Sequence, residues 1–407
     1  MTTADKEYLT LLKDILDNGV EKDTRAGRVK SVFGRQIRFN LKEGLPLLTT
    51  KKVFTKGIIH ELLWFLQHPC NSHGSMNIEY LVRNHVHIWD DDAYRWFKTE
   101  IIPQFKGKIR DIVVCLSEDD GRELGGSPSY EYWISAETKR NDDAWLESIT
   151  KEEFLNLVVQ RVELRGSWMS KYRFGDLGPV YGTQWRYYGE SGKDQIKEVI
   201  NTLNTNPNDR RMIVNAWNVD VLNDVALPPC HVMFQFYTRK LSNKERMKIF
   251  NERYVSGEIP QKYYDWFEEY AKNTKEGMDV EMPNDGSDFD MANIPKYGLS
   301  CMYLMRSNDE FLGQPYNTPS YAILTCMIAK LVNMIPDELI ASLGDCHIYE
   351  AHFDAVKEQL SRKGSDIIPK LIIHGNQKTI EDFKYEDFEI VDYCPDPPIK
   401  APLLVGM

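Results

Sequence analysis

Residues 212–238 read MIVNAWNVDVLNDVALPPCHVMFQFYT. Two strand-like runs, MIVNAWN and HVMFQFYT, flank a loop that ends in ALPPC, and both are rich in the aromatic and β-branched residues that suit a packed sheet. Working outward, YGLSCMYLMRS (297–307) has the same character, and SYAILTCMIAKLVNMI after it is apolar enough for a long buried helix. Upstream, QIKEVINTLNTNPNDRRM predicts a helix stopped by an Asn-Pro turn, and GIIHELLWFLQ predicts another buried helix. Residues 4–18 place Leu9, Leu12, Ile15 and Leu16 at helical spacing. A charged turn, EKDTRAGRVK, then leads into the strand-like SVFGRQIRFNL. Strands and helices so mixed predict an α/β (α+β) fold, with a large mixed β-sheet packed with helices.

Two stretches change character. Residues 98–171 are more polar and irregular, and GRELGGSPS inside them has loop composition. In residues 239–298, KERMKIFNERY and QKYYDWFEEYAK are helical, and the Tyr263, Phe267 and Tyr270 stripe reads as packing onto the main body. Both are read as insertions into one domain spanning residues 1–407, not as tandem domains.

Composition narrows the function. A hydrophobic fraction of 42% with 12% aromatics supports a full core. The balance of 50 Lys+Arg against 61 Asp+Glu, net −11, argues against a surface that wraps nucleic acid. The chain has no window long and apolar enough for a membrane helix, and MTTADKEYLTLLKDI is not a signal peptide, so a cytoplasmic location is expected. The seven cysteines make no CxxC pair and no zinc-type cluster, so no metal is expected, and most should be reduced thiols.

Cys230 stands after two stiffening prolines and before His231. An ordinary thiol is only about 3% ionised at pH 7, so a nucleophilic role needs nearby positive charge. Arg210 and Arg211 run from a turn into a strand, and Arg306 precedes Ser307 in a similar place. The guanidinium fork beside a hydroxyl suits a phosphate dianion, although surface solubility explains either motif alone. Arg25 is a third candidate. Glu61, inside an apolar helix, is either a hydrogen-bonded structural carboxylate or a proton handler with a shifted pKa. Trp89 is either core or a stacking platform for a flat heterocycle. A Cys–His hydrolase built on Cys230 and His347 is the reading from another class; it leaves the phosphate-type donors and Asn317 without a purpose.

Taken in order, VFGRQIRF, PLLTTKKVF, HELLWFL, GDLGPVYGTQWR, DRRMIVNAWN, ALPPCHVMFQFY, RSNDEFLGQPYN, GDCHIYEAH, PKLII, YEDFEI and PPIKAP resemble the thymidylate synthase family. The resemblance implies that fold for a single catalytic domain, with dUMP as substrate and 5,10-methylenetetrahydrofolate as co-substrate. By it, Cys230 is the nucleophile toward C6 of the pyrimidine, and Glu61, Tyr181 and His231 complete the catalytic set. Arg25, Arg306 and Ser307 match phosphate ligands. Arg210 and Arg211 match a pair reaching the partner's site in a homodimer. His347 and Tyr349 match ribose ligands. Ile88, Trp89, Asp309, Leu312, Gly313 and Tyr316 match the folate side, with Asp309 also toward the nucleotide, and Lys51 matches a position near the glutamate tail. Arginines around the phosphate would also favour the Cys230 thiolate.

Asn317 in GQPYN points to uracil, because a carboxamide can accept from N3–H and donate to O4, whereas cytosine-specific relatives carry Asp there. Three features depart from the family. Met305 opens an MRSND string where synthases read Gln-Arg-Ser; Gly406 and Met407 extend the usual C-terminus; and TRAGRVK lacks the usual Thr-Gly-Thr-Gly. MRSND resembles the phage hydroxymethylases of the family. It implies that water completes the reaction, giving 5-hydroxymethyl-dUMP and tetrahydrofolate for modified bacteriophage DNA, within the host cytoplasm. The alternative is thymidylate synthesis proper, with dTMP and dihydrofolate as products.

Overall fold

The computed structural model describes residues 1–68, 74–109, 111–115, 131–133, 142–166, 171–257, 259, 263 and 287–404. Twelve strands lie among the described residues: β1 (Val20–Thr24), β2 (Gly27–Asn40), β3 (Asp111–Cys115), β4 (Glu131–Trp133), β5 (Val162–Arg165), β6 (Lys171–Arg173), β7 (Ile213–Asn215), β8 (His231–Lys240), β9 (Tyr297–Asp309), β10 (Ile335–Tyr349), β11 (Lys370–Ile373) and β12 (Phe388–Val391). Six form the main sheet in the order β1-β2-β10-β9-β8-β7. Among the described strands of this sheet, only β9 and β10 pair in parallel. Parallel neighbours need a long crossover, and the helix Gln314–Leu331 supplies it. The fold is thus mixed α/β, a large mixed sheet packed with helices.

One sheet face carries the helices Thr3–Asn18, against β2 and β10, and Gln314–Leu331, against β9 and β10, with Thr55–Phe65 packed on the latter. The first begins at Thr2, whose hydroxyl accepts from the Asp5 N–H, and it buries Leu9, Leu12 and Ile15. The other face keeps apolar side chains open, with Phe33 80% and Tyr237 65% exposed and Ile213 and Leu304 beside them in the sheet. No described helix is long and apolar enough to cross a membrane.

The fold departs from the sequence reading in several places. EKDTRAGRVK is not all turn: its first half pairs as the edge strand β1, every residue of which is exposed, and only Arg25 and Ala26 turn. The apolar run after β9 starts its helix earlier, at Gln314. Pro315 in the first turn marks the true start, while Pro319 inside the helix hid it. Asn333, with φ of 49°, ends it two residues before β10.

MIVNAWN contributes only the short β7. Residues 98–171 are more regular than their composition suggests. Their described part holds the helices Asp142–Ser148 and Lys151–Val159 and the antiparallel sheet β4-β3-β5-β6. Leu146, Phe154, Val158 and Leu164 from this stretch join the main core. The second stretch builds the helix Asn243–Val255 and a separate small core of Phe250, Ile259, Phe289, Ala292 and Ile294. GRELGGSPS, Phe267 and Tyr270 lie outside the described residues.

Candidate active site

Strand direction decides what can meet. β9 and β10 run parallel and end on the same edge, where antiparallel β8 begins and the β1–β2 turn returns. Arg306, Ser307 and Asp309 close β9, His347 and Tyr349 close β10, and Cys230 immediately precedes β8. The carboxyl ends of parallel strands are where open α/β sheets bind ligands.

The Cys230 loop is braced from both sides. Arg306 donates from Nε to the Pro229 carbonyl at 2.8 Å and from Nη2 to the Pro228 carbonyl at 2.9 Å, and its backbone N–H donates to the Cys230 carbonyl at 2.9 Å. The same guanidinium lies 5.6 Å from the centre of the Trp217 ring. From the other side, the Cys230 backbone N–H donates to the Tyr181 hydroxyl at 2.9 Å. Burial pushes the thiol pKa up, against the pull of the Arg306 charge. The Arg306 charge favours the thiolate, as the sequence reading expects of an arginine at the phosphate, but burial opposes it more strongly. The Asp92 charge adds to the rise, and a hydrogen bond with Tyr181 adds to the pull of Arg306.

His231, next to Cys230, is partly buried and hydrogen-bonded. Its Nδ1 lies 3.0 Å from the Tyr321 hydroxyl, and burial holds its pKa down to about 4 despite a bond with Asn317. Glu61 is better placed to titrate near neutrality: burial raises its carboxyl to about 7, opposed by the Trp89 indole N–H, which donates to Oε1 at 2.8 Å. Glu61 is thus both hydrogen-bonded and shifted. Trp89 is buried, with its ring 5.4 Å from Trp64 and 5.9 Å from Tyr181, while neighbouring Ile88 is exposed.

Asp309 organises the turn from β9 into the crossover helix. Its carboxylate accepts from the backbone N–H groups of Phe311 and Leu312 at 2.9 and 3.0 Å, and its carbonyl accepts from Gly313 N–H. A Cβ on Gly313 would lie 2.8 Å from the Asp309 carbonyl oxygen, so that close approach requires glycine. Tyr316 and Asn317 follow in the first turn of the helix. Lys51 is turned inward: its ammonium donates to the Phe311 carbonyl at 2.5 Å and stands 3.5 Å over the Phe311 ring. Burial brings its pKa down to about 7.

His347 is buried beside Tyr349, with ring centres 5.2 Å apart. Asp345, missed in the sequence, lies 3.5 Å from His347 Nδ1 and accepts from Ser31 Oγ–H at 2.5 Å. Burial raises the Tyr349 pKa, with the Asp309 and Cys230 charges acting in the same direction and that of Arg25 opposing them. The two strand ends and the β1–β2 turn therefore share one electrostatic neighbourhood. Arg25 itself is exposed.

Arg210 and Arg211 fall elsewhere. Both are exposed, and Arg211 pairs with Asp209 at 2.7 Å. The Met212 carbonyl accepts from Phe236 N–H, six residues along β8 from Cys230. At roughly 3.3 Å per residue that is about 20 Å, beyond the reach of a guanidinium to its own Cys230. His68, Asp194 and Glu381 are the one grouping of metal-type donors among the described residues. Arg186 occupies it, bonded to all three.

Other partners escaped the sequence reading, Tyr321 and Trp217 among them, because nothing in a local pattern announces a cross-sheet contact. Asp5 gives no distinct signal in the sequence, being one of several acids in an amphipathic helix. It is buried and accepts from the N–H and hydroxyl groups of Thr49 and Thr50, which places Lys51.

The family model described as Thymidylate synthase matches residues 6–251 and 286–405. Its match runs through the first distinctive stretch and is interrupted inside the second. Among curated relatives, thymidylate synthase of Mycoplasma mobile is 34% identical over 403 residues, covering 98% of this chain and 100% of its own length. Thymidylate synthase of Listeria innocua is 35% identical over 404 residues, with the same coverage. The chain belongs to the thymidylate synthase family.

Proposed function

We propose that the chain transfers a one-carbon unit from 5,10-methylenetetrahydrofolate to C5 of dUMP through a bond between Cys230 and C6 of the base. The observation that carries this is the convergence, on one sheet edge, of a thiol on a braced loop, Arg306 against it and Asn317 beside His231. Cys230 loses its proton and adds to C6, which makes C5 a carbon nucleophile toward the folate methylene. C5 then gives up its hydrogen and the folate amine leaves, with Glu61 and Tyr181 as the proton-handling groups. Expulsion of the Cys230 thiolate releases the product. Asn317 reads the base, Arg306 and Ser307 hold the phosphate with Arg25, and His347 and Tyr349 hold the ribose.

For the closing step we take hydride transfer from the folate, giving dTMP and dihydrofolate. Full-length relatives named thymidylate synthase support it. So does the C-terminal segment: His352 donates from Nε2 to the Pro402 carbonyl at 2.8 Å, with its ring 5.4 Å from Phe311, which draws that segment toward the folate side. The second reading, water capture giving 5-hydroxymethyl-dUMP and tetrahydrofolate, rests on Met305, a buried thioether where synthases carry a glutamine. Incubation with both substrates, followed by mass analysis of nucleotide and folate, decides. Hydride transfer adds a methylene unit to dUMP and leaves dihydrofolate. Water capture adds one further oxygen and leaves tetrahydrofolate, and unchanged dUMP would overturn both.

The working form proposed is a homodimer through the open sheet face that carries Phe33, Tyr237, Leu304 and Ile213. It would let Arg210 and Arg211 serve the partner's phosphate site. Residues 98–171 and 239–298 are proposed as insertions on one catalytic domain, the second with its own small core.

A further inference from the structure

Beneath Asn317 lies a set of polar side chains where apolar ones would pack as well. Asn317 donates from Nδ2 to Asn308 Oδ1 at 2.9 Å. Asn308 in turn donates from Nδ2 to Glu310 Oε1 and to Gln314 Oε1, each at 2.8 Å. Tyr303 donates to the same Gln314 oxygen at 3.4 Å and hydrogen-bonds Thr318 at 2.9 Å. Asn308, Glu310 and Gln314 are 2%, 0% and 1% exposed. Burying that much polarity is costly, and such networks persist where they fix one arrangement against another.

The alternative arrangement here is an amide flip. A carboxamide has nearly the same shape either way round. With its oxygen toward N3 and its nitrogen toward position 4, Asn317 accepts from N3–H of uracil and donates to O4. Turned over, it would donate to N3 of cytosine and accept from the amino group. Asn317 alone therefore fits either base. The direction of the buried network removes that ambiguity. Both hydrogens of the Asn308 amide are already given to Glu310 and Gln314, so Asn308 can offer Asn317 only an oxygen. A flipped Asn317 would set oxygen against oxygen. Burial raises the Glu310 carboxyl to about 8, so at neutral pH it is uncharged and adds no repulsion under the base.

We propose that Asn308, held by Glu310 and Gln314, is a positioning residue that locks the Asn317 carboxamide in its uracil-reading orientation and so supplies the discrimination against dCMP. This rests on the reading of Asn317 as the base-recognising residue. The test is the ratio of dissociation constants for dCMP and dUMP, measured by calorimetry on wild type, Asn308→Ala, Asn308→Asp and Asn317→Asp. Asn308→Ala should cut the ratio about tenfold or more, chiefly by tighter dCMP binding, since the lock is gone while the reader remains. Asn308→Asp keeps an acceptor facing Asn317 and should retain the wild-type preference, a rescue that general loosening of the core would not produce. Should Asn308→Ala fail to fold, Gln314→Leu frees the Asn308 amide and should lower the ratio in the same direction. If Asn317→Asp reverses the preference while Asn308→Ala and Gln314→Leu leave the ratio unchanged, the base reading stands and the lock is overturned. If Asn317→Asp does not move the ratio, both fall.

Discussion

The Trp89 indole N–H donates to the Glu61 carboxylate across 2.8 Å, joining a residue of the aromatic cluster to the carboxyl that burial has raised to about 7. That bond favours the ionised form and so opposes the desolvation that raises the pKa.

Glu61 is therefore expected to set a limb of the kcat/KM profile with its midpoint near pH 7. Glu61→Gln should lose about 10²- to 10⁴-fold in rate and abolish the limb. Trp89→Phe removes the donor that lowers the pKa, so its limb should move to higher pH. A limb at the same pH in Trp89→Phe would leave Glu61 with a structural role only.

Arg210 and Arg211 lead to a prediction about assembly. Because their strand register carries them about 20 Å from their own Cys230, an Arg210→Glu chain and a Cys230→Ala chain, each inactive alone, should regain activity when mixed. Such a heterodimer holds one site with an intact thiol and intact partner arginines. Heterodimers that form yet stay inactive would place each site within one chain.

Much of this arrangement was legible beforehand, and the gaps have physical causes. The strand character of HVMFQFYT and YGLSCMYLMRS comes from local composition, so β8 and β9 follow their sequences closely. The crossover helix was mistaken in its start because Pro319 is a breaker signal that tertiary packing overrides. Cys230 stands out from its neighbours in the sequence, but the balance between charge and burial at its thiol does not. Arginines that are near in a motif act on a thiol only if folding brings them close, and burial is invisible in a single sequence. Asn308 and Glu310 stood in plain view within MRSNDEF. Their importance depends on the side on which Asn317 returns, which only the helix geometry reveals.

Glu310 carries a stability prediction with a definite sign. Its carboxyl is raised from an ordinary 4.5 to about 8 in the folded chain. The favourable contribution of the protonated form is then complete below the unfolded value and is lost as pH rises through the folded one. Denaturant titrations of wild type and Glu310→Gln should give a stability difference that moves steadily against wild type between about pH 4.5 and 8. A difference that stays constant over that window would mean that Glu310 is ionised throughout.

Covalent attack by Cys230 is the central claim, and it is tested most directly by the fate of hydrogen at C5 of dUMP. Either closing step requires that hydrogen to leave, so the measurement does not depend on which product forms. With dUMP carrying tritium at C5 and methylenetetrahydrofolate present, wild type should release tritium to water in step with nucleotide turnover. Cys230→Ala should release essentially none while still binding dUMP. Tritium that stays on the nucleotide with wild type, or release by Cys230→Ala at the wild-type rate, would contradict the mechanism.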